Sequence, residues 1–218
     1  MGRIIQADMV KRKVLLDCDR KQSVPGVSMG NDIEIIPSGK GFNCIPENEK
    51  DLRIYTLIKE NCDVHFLEEH ETTDILFYPV PLVWLFAHDS NGNYFGTLNG
   101  IGDIEDQEHP VVFINRTQKT HGKVAENLKG FLSLVNYYPD WQRIIESVSQ
   151  GTFDQDLIEP SVEHQRDIEK QNEIEKILSL SKDLDAVKLL IEKVRGNPGF
   201  VVYESKEEAE KKHEIVSI

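Results

Sequence analysis

Pro81-Leu82-Val83-Trp84-Leu85-Phe86-Ala87-His88-Asp89-Ser90-Asn91-Gly92-Asn93-Tyr94-Phe95-Gly96-Thr97-Leu98 sets Asn-Gly between two apolar runs. That arrangement is the strongest short-range signal for a β-hairpin, because both turn residues tolerate a positive φ. The run before the turn barely alternates, so its strand is expected to be buried on both faces. Working outward, Pro110-Val111-Val112-Phe113-Ile114-Asn115 reads as a further strand. From Gly122 to Val135 the apolar positions Val124, Leu128, Phe131, Leu132 and Val135 follow one face of an α-helix. Tyr138-Pro139-Asp140 interrupts that pattern, and Trp141, Ile144, Ile145 and Val148 resume it in a second helix.

Upstream, Val14-Leu15-Leu16 and Ile33-Glu34-Ile35-Ile36 read as short strands. Pro25-Gly26, Met29-Gly30-Asn31-Asp32 and Pro37-Ser38-Gly39-Lys40-Gly41 punctuate the region as turns. Glu47 to Glu60 reads as a helix through Leu52, Tyr55 and Ile58, with Asn61 placed to end it. Val64-His65-Phe66 and Ile75-Leu76-Phe77-Tyr78 are strand candidates on either side of an acidic turn, Glu68-Glu69-His70-Glu71.

After Gly151 the composition changes. Ser161 to Ser181 reads as a mostly solvated helix, with Ile168, Ile174, Ile177 and Leu178 as its apolar positions. Asp183 caps a further helix that aligns Leu184, Val187, Leu190, Ile191 and Val194. Gly196 and Asn197-Pro198-Gly199 stop it. Phe200 to Tyr203 is a short strand, and Ser205-Lys206-Glu207-Glu208 has the form of a capping box. The expectation is an α+β fold, a mainly antiparallel sheet with helices packed on one face. Residues 1–150 would form the main domain, and 151–218 a helical C-terminal extension or subdomain.

The chain has 218 residues and a formal charge of −13, from 25 Lys and Arg against 38 Asp and Glu. Phosphate backbones demand clustered cations, so this balance argues against a nucleic-acid binder and suits a basic protein partner. Cys18, Cys44 and Cys62 contain no C-x-x-C pair, which reads as reduced thiols in a cytosolic protein. The first residues carry no apolar core of a signal peptide, and no run reaches membrane-spanning length. A cytoplasmic protein with no membrane association is expected.

Catalytic and metal motifs fail on inspection. Asp89, Asn91 and Asn93 open like a calcium loop, but Tyr94 and Gly100 stand where glycine and a chelating glutamate are required. His88 and Asp89 are adjacent on a strand, so their side chains point to opposite faces. The histidines His65, His70, His109, His121, His164 and His213 form no H-E-x-x-H or i, i+4 pair. Gly96, Gly100 and Gly102 do not make a dinucleotide fingerprint, Ser38-Gly39-Lys40-Gly41 is no phosphate loop, and no cofactor is expected. What remains is a surface. The polar hairpin tip Asp89, Asn91 and Asn93 and the acidic loop Asp103, Glu105, Asp106 and Glu108 are the candidate partner-binding residues. That loop is expected close to the tip, with the Glu68–Glu71 turn nearby. Carboxylates held on a rigid sheet match a basic partner and steer its approach.

The order of Phe86-Ala87-His88-Asp89-Ser90-Asn91-Gly92-Asn93-Tyr94-Phe95-Gly96, then Pro110-Val111-Val112-Phe113-Ile114, then Val124-Ala125-Glu126-Asn127-Leu128-Lys129-Gly130-Phe131-Leu132 resembles the SUKH superfamily. Its members show a strand-turn-strand of hydrophobic, Ala or Gly, polar, Asp or Asn, Gly and aromatic residues, then a strand and an "sFeeFL" helix. The likeness covers about residues 75–150. The family usually begins with a helix and a Leu-Pro step, where this chain is turn-rich, and a minimal member lacks the 151–218 extension. The resemblance implies a non-catalytic α+β binding module. Many bacterial members are immunity proteins that neutralise a cognate toxin, often a nuclease, and others are scaffolds or regulators. An acidic immunity protein would cover the toxin's basic active site in place of nucleic acid. A scaffold with a cellular partner is the alternative, and an enzyme using His88, Asp89 or the carboxylate loop is a second one.

Overall fold

The computed structural model describes residues 12–17, 33–73, 75–154 and 166–212. Cys18, the turns at Pro25-Gly26 and 29–32, the start of the helix expected from Ser161, His164 and His213 lie outside them. The quoted stretch forms strands β6 (Val83–His88) and β7 (Asn93–Leu98), paired antiparallel. The turn differs from the two-residue form. The Asp89 amide donates to Asn93 O at 3.0 Å, and the Gly92 amide donates to Asp89 O at 3.3 Å. Gly92 sits at φ +78°, whereas Asn91 is not at positive φ. This is the three-residue loop that ends in a left-handed glycine, built on Ser90, Asn91 and Gly92.

Around this hairpin lies a sheet of six strands. β6 pairs on its outer side with β3 (Lys40–Phe42), parallel, and with β4 (His65–Phe66), antiparallel. On the other side follow β7, β8 (Val111–Asn115) and β9 (Thr120–Ala125), all antiparallel. β6 is covered on both faces, as its weak alternation implies: Phe86 and Ala87 lie in one core cluster, Val83 and Leu85 in the other. Gly96 allows β6 and β7 to meet: a Cβ there would lie 2.6 Å from Val83 Cγ1 and 2.7 Å from Trp84 O.

One face carries the helices: α1 (Arg53–Cys62), α2 (Leu128–Tyr137), α3 (Trp141–Ser149), α4 (Ile168–Leu178) and α5 (Ala186–Arg195). They bury Ile58, Phe131, Trp141, Ile144, Ile174 and Leu190 against Phe86, Ala87, Phe95 and Phe113 of the sheet. Phe95, Phe131 and Trp141 form its centre, with ring centroids 5.0 to 6.0 Å apart, within the range where aromatic pairs attract. The other face packs Val83, Leu85, Val112 and Ile114 under Leu67, Ile75, Phe77 and Phe200. Two smaller ribbons lie beside this sheet among the described residues. β1 (Arg12–Asp17) and β2 (Ile33–Ser38) pair in parallel, while β5 (Tyr78–Val80) pairs antiparallel with β10 (Val201–Tyr203). Leu15, Tyr78, Val80 and Tyr203 pack there with Ala209 of α6 (Lys206–Lys212).

The fold class is as expected, and several elements are corrected. Residues 120–125 are strand β9, so the helix expected from Gly122 starts only at Leu128. Asn127 separates the two: its side-chain oxygen accepts from the Gly130 amide at 2.8 Å and caps α2. The helix expected over 47–60 is Arg53–Cys62, preceded by turns at 47–51. It ends where Asp63 takes up φ +54° and donates its amide to Lys59 O. Ile75 to Phe77 is not strand; the strand is Tyr78–Val80. The acidic turn is a short 3-10 segment, Glu69–Thr72, whose N-terminal box is closed by Glu68 and Glu71. Among the described residues after Gly151, Ile174, Leu180, Val187 and Leu190 belong to the same core cluster as Phe131 and Trp141.

Candidate protein-binding surface

At the hairpin tip the side chains of Asp89 and Asn93 turn inward. Asp89 is 3% exposed. Its Oδ1 accepts from the amides of Asn91 at 3.0 Å and Asn93 at 2.9 Å. Its Oδ2 accepts from Asn93 Nδ2 at 2.8 Å and Gln142 Nε2 at 3.1 Å. Gln142 also donates to Asp63 Oδ2 at 2.7 Å, so one amide from α3 joins two carboxylates. Asp63 further accepts from the amide and hydroxyl of Ser90, and its Oδ1 lies 3.0 Å from His65 Nε2. Asn93 is buried too, and its Oδ1 accepts from Asn115 Nδ2 at 3.1 Å.

The two carboxylates respond in opposite ways. Burial pushes the Asp89 carboxyl above the ordinary value, and the hydrogen bonds from Asn93 and Gln142 only partly offset it. Burial also pushes Asp63 up, but hydrogen bonds from Ser90, Gln142 and His65 outweigh it and leave the group below its ordinary value. Asp89 and Asn93 therefore hold the turn together and present nothing to a partner, a correction to their place among the candidate binding residues. Asn91 remains exposed.

The acidic loop lies elsewhere. It follows the end of β7, whereas the hairpin tip precedes its start, so six residues of strand separate them. At the rise of an extended chain that is about 20 Å. The expected proximity of loop and tip is thus corrected by topology. Within the loop, Asp103 Oδ1 accepts from the amides of Glu105 at 2.8 Å and Asp106 at 2.9 Å. Asp106 Oδ1 accepts from the Glu108 amide at 2.7 Å, and its Oδ2 bonds the His109 ring. These contacts hold the Asp106 carboxyl below the usual range, the Glu108 amide first and His109 second. Thr97 Oγ1 ties the loop's start, accepting from the Gly102 amide at 3.2 Å and donating to Gly100 O. The outcome is a fixed backbone with Asp103, Glu105 and Glu108 exposed and Asp106 half-buried.

The acidic turn does lie beside the hairpin tip: Glu71 Oε1 is 3.6 Å from His88 Nε2. Glu68 and Glu69 are exposed there. His88 and His65 stack across β6 and β4 with centroids 5.0 Å apart. His88 faces away from the Asp89 carboxylate, as alternation along a strand requires, and only its Nδ1 approaches Asp89 O, at 3.4 Å. Among the described residues no group of three or more His, Cys, Asp or Glu is placed to hold a metal ion. Cys44 is half-buried and Cys62 buried, both as free thiols.

Asp63, Ser90 and Gln142 were not singled out by the sequence. Asp63 directly follows a helix, a position with a recognisable stop signal, but nothing local ties Gln142 to a turn so far away along the chain. No family model, curated protein or solved structure matches this chain. No helix among the described residues is long and apolar enough to cross a membrane.

Proposed function

We propose that this chain is a non-catalytic binding protein of the SUKH immunity type. It would act in the cytoplasm by covering the basic active site of a cognate, nuclease-type toxin. One observation carries the proposal: Glu105 and Glu108 stand exposed on a loop whose backbone is pinned by its own aspartates, in a chain of charge −13. Neither side chain forms a hydrogen bond or ion pair within the described residues. A preset pair of carboxylates loses little conformational freedom on meeting a cation, which favours binding. Occlusion needs only a standard interface, about 800 Å² per partner.

The experiment mixes the purified chain with the products encoded beside its gene and measures association over a range of salt. A salt-sensitive complex with a basic toxin domain is expected. Glu105→Lys with Glu108→Lys should slow association by about tenfold, because rim charges act mainly on the on-rate. Glu69→Lys, on the opposite end of the sheet, should change it far less. The proposal fails if no neighbouring product binds, or if the reversed loop associates as fast as the native one.

A further inference from the structure

Beside β10 lies a cleft of about 410 Å³, within the range of roughly 300–1,000 Å³ typical of ligand sites. β10 and β5 form a two-stranded ribbon, so one edge of β10 is unpaired. Register decides which of its groups face outward. Val202 stands opposite Pro79, and the Pro79 carbonyl accepts from the Gly39 amide at 2.9 Å, on the side away from β10. Pro79 and Val202 are therefore a non-hydrogen-bonded pair, and the Val202 N–H and C=O point away from β5. Neither group has a partner among the described residues, and Val202 lines the cleft.

The edge is closed on both sides of Val202. Upstream, the His121 ring packs edge-on against Phe200, with centroids 5.1 Å apart, and Phe200 is buried. Downstream, the Glu204 amide donates to Glu208 Oε2 at 2.9 Å. Across the cleft stands the turn between β8 and β9, and it carries positive charge. Asn115 Oδ1 accepts from the Gln118 amide at 2.9 Å, and Gln118 Nε2 donates to Glu146 Oε1 at 2.9 Å, which fixes the turn. Arg116 and Lys119 are exposed on it, and neither side chain meets a carboxylate, in a chain with 38 acidic residues. Phe77 and Ile114 supply an apolar floor.

An N–H and a C=O presented by one strand residue are matched by another extended backbone, which offers both groups at the same spacing. Because the edge is open at a single residue, it suits the end of a chain better than a segment continuing in both directions. The unpaired cations call for a negative charge on that end, and Glu204, exposed on the rim, disfavours a second one. We propose that this cleft binds the last residues of a peptide in extended form, its backbone bonding Val202 and its C-terminal carboxylate meeting Arg116 and Lys119. The site rests on neither the acidic loop nor the toxin reading.

The test is an amide-resolved NMR titration of the full chain with N-acetylated tripeptides ending in valine, leucine, phenylalanine or lysine, each as free acid and as carboxamide. Saturable shifts at the Val202, Thr120 and His121 amides and slowed hydrogen exchange at Val202 are expected with free acids. The carboxamides should bind about tenfold more weakly, as for loss of a bond between charged groups. Arg116→Gln with Lys119→Gln, on an exposed turn, should weaken the acids about tenfold and leave the carboxamides unchanged. Val202→Pro removes the outward N–H, which an edge strand tolerates. It should abolish binding while cross-strand contacts between Val201 and Val80 persist. The proposal is overturned if no free acid gives saturable shifts at these amides, if acid and carboxamide bind alike, or if either variant binds the acids as the native chain does.

Discussion

Asp89 does the work of several residues at once, holding two backbone amides, the Asn93 amide group and Gln142. Replacing it with alanine leaves those buried donors without an acceptor. Asp89→Ala should therefore lose about 2–4 kcal/mol, read from the urea midpoint. Its pairing with Asp63 through Gln142 gives a pH signature. Asp63 has a lowered pKa, so its contribution is present above the ordinary carboxylate value of 3.8 and is lost as pH falls through its folded value. Asp89 has a raised pKa, so its contribution is present below 3.8 and is lost as pH rises through its folded value. Asp63→Asn should flatten the acid-side loss of stability below pH 3.8, whereas Asp89→Asn should steepen it just above pH 3.8. Identical pH profiles for the two variants would contradict this arrangement. The sequence shows Asp-x-Asn-x-Asn as a polar tip and gives no sign of its burial, because the groups that bury it, Asp63 and Gln142, arrive from distant parts of the chain.

At the level of elements, the hairpin, β8, α3 and α5 are all legible from local pattern, since each presents its apolar residues at one clear period. The boundary between β9 and α2 is not. Val124 stands four residues before Leu128 and seven before Phe131, so a strand residue falls on the same helical stripe as the helix that follows. The signal that resolves it is Asn127, an N-cap residue in front of the true helix. Asn127→Ala should cost about 1 kcal/mol, measured by chemical denaturation, and should fray the first turn of α2 in hydrogen exchange. β3 and β4, at three and two residues, are too short to carry a period of their own, and pairing with β6 alone defines them. The acidic loop is legible in composition but not in position, because charge pattern says nothing about which end of a strand a loop leaves.

For the whole molecule, the composition shift after Gly151 reads as an appendage, and packing makes it part of the core. α4 is charged on most of its surface, yet Ile174 is 1% exposed, while Ile168 and Ile177 face outward. One buried residue in eleven is too weak a stripe to announce an internal helix. Ile174→Ala should cost about 2–5 kcal/mol in urea. A chain ended after residue 151 should lose its cooperative unfolding transition, because Phe131 and Trp141 would lose the cover of Leu180, Val187 and Leu190. Cooperative melting of that truncation would show the first part to be self-sufficient. β10 carries a consequence of its own, since its Val201 meets Val80 of β5. Ribosomes deliver β5 long before its mate, leaving a bare strand edge on the nascent chain until the far end emerges. Synthesis in cells short of nascent-chain chaperones is where this protein is most exposed to mispairing with its own copies.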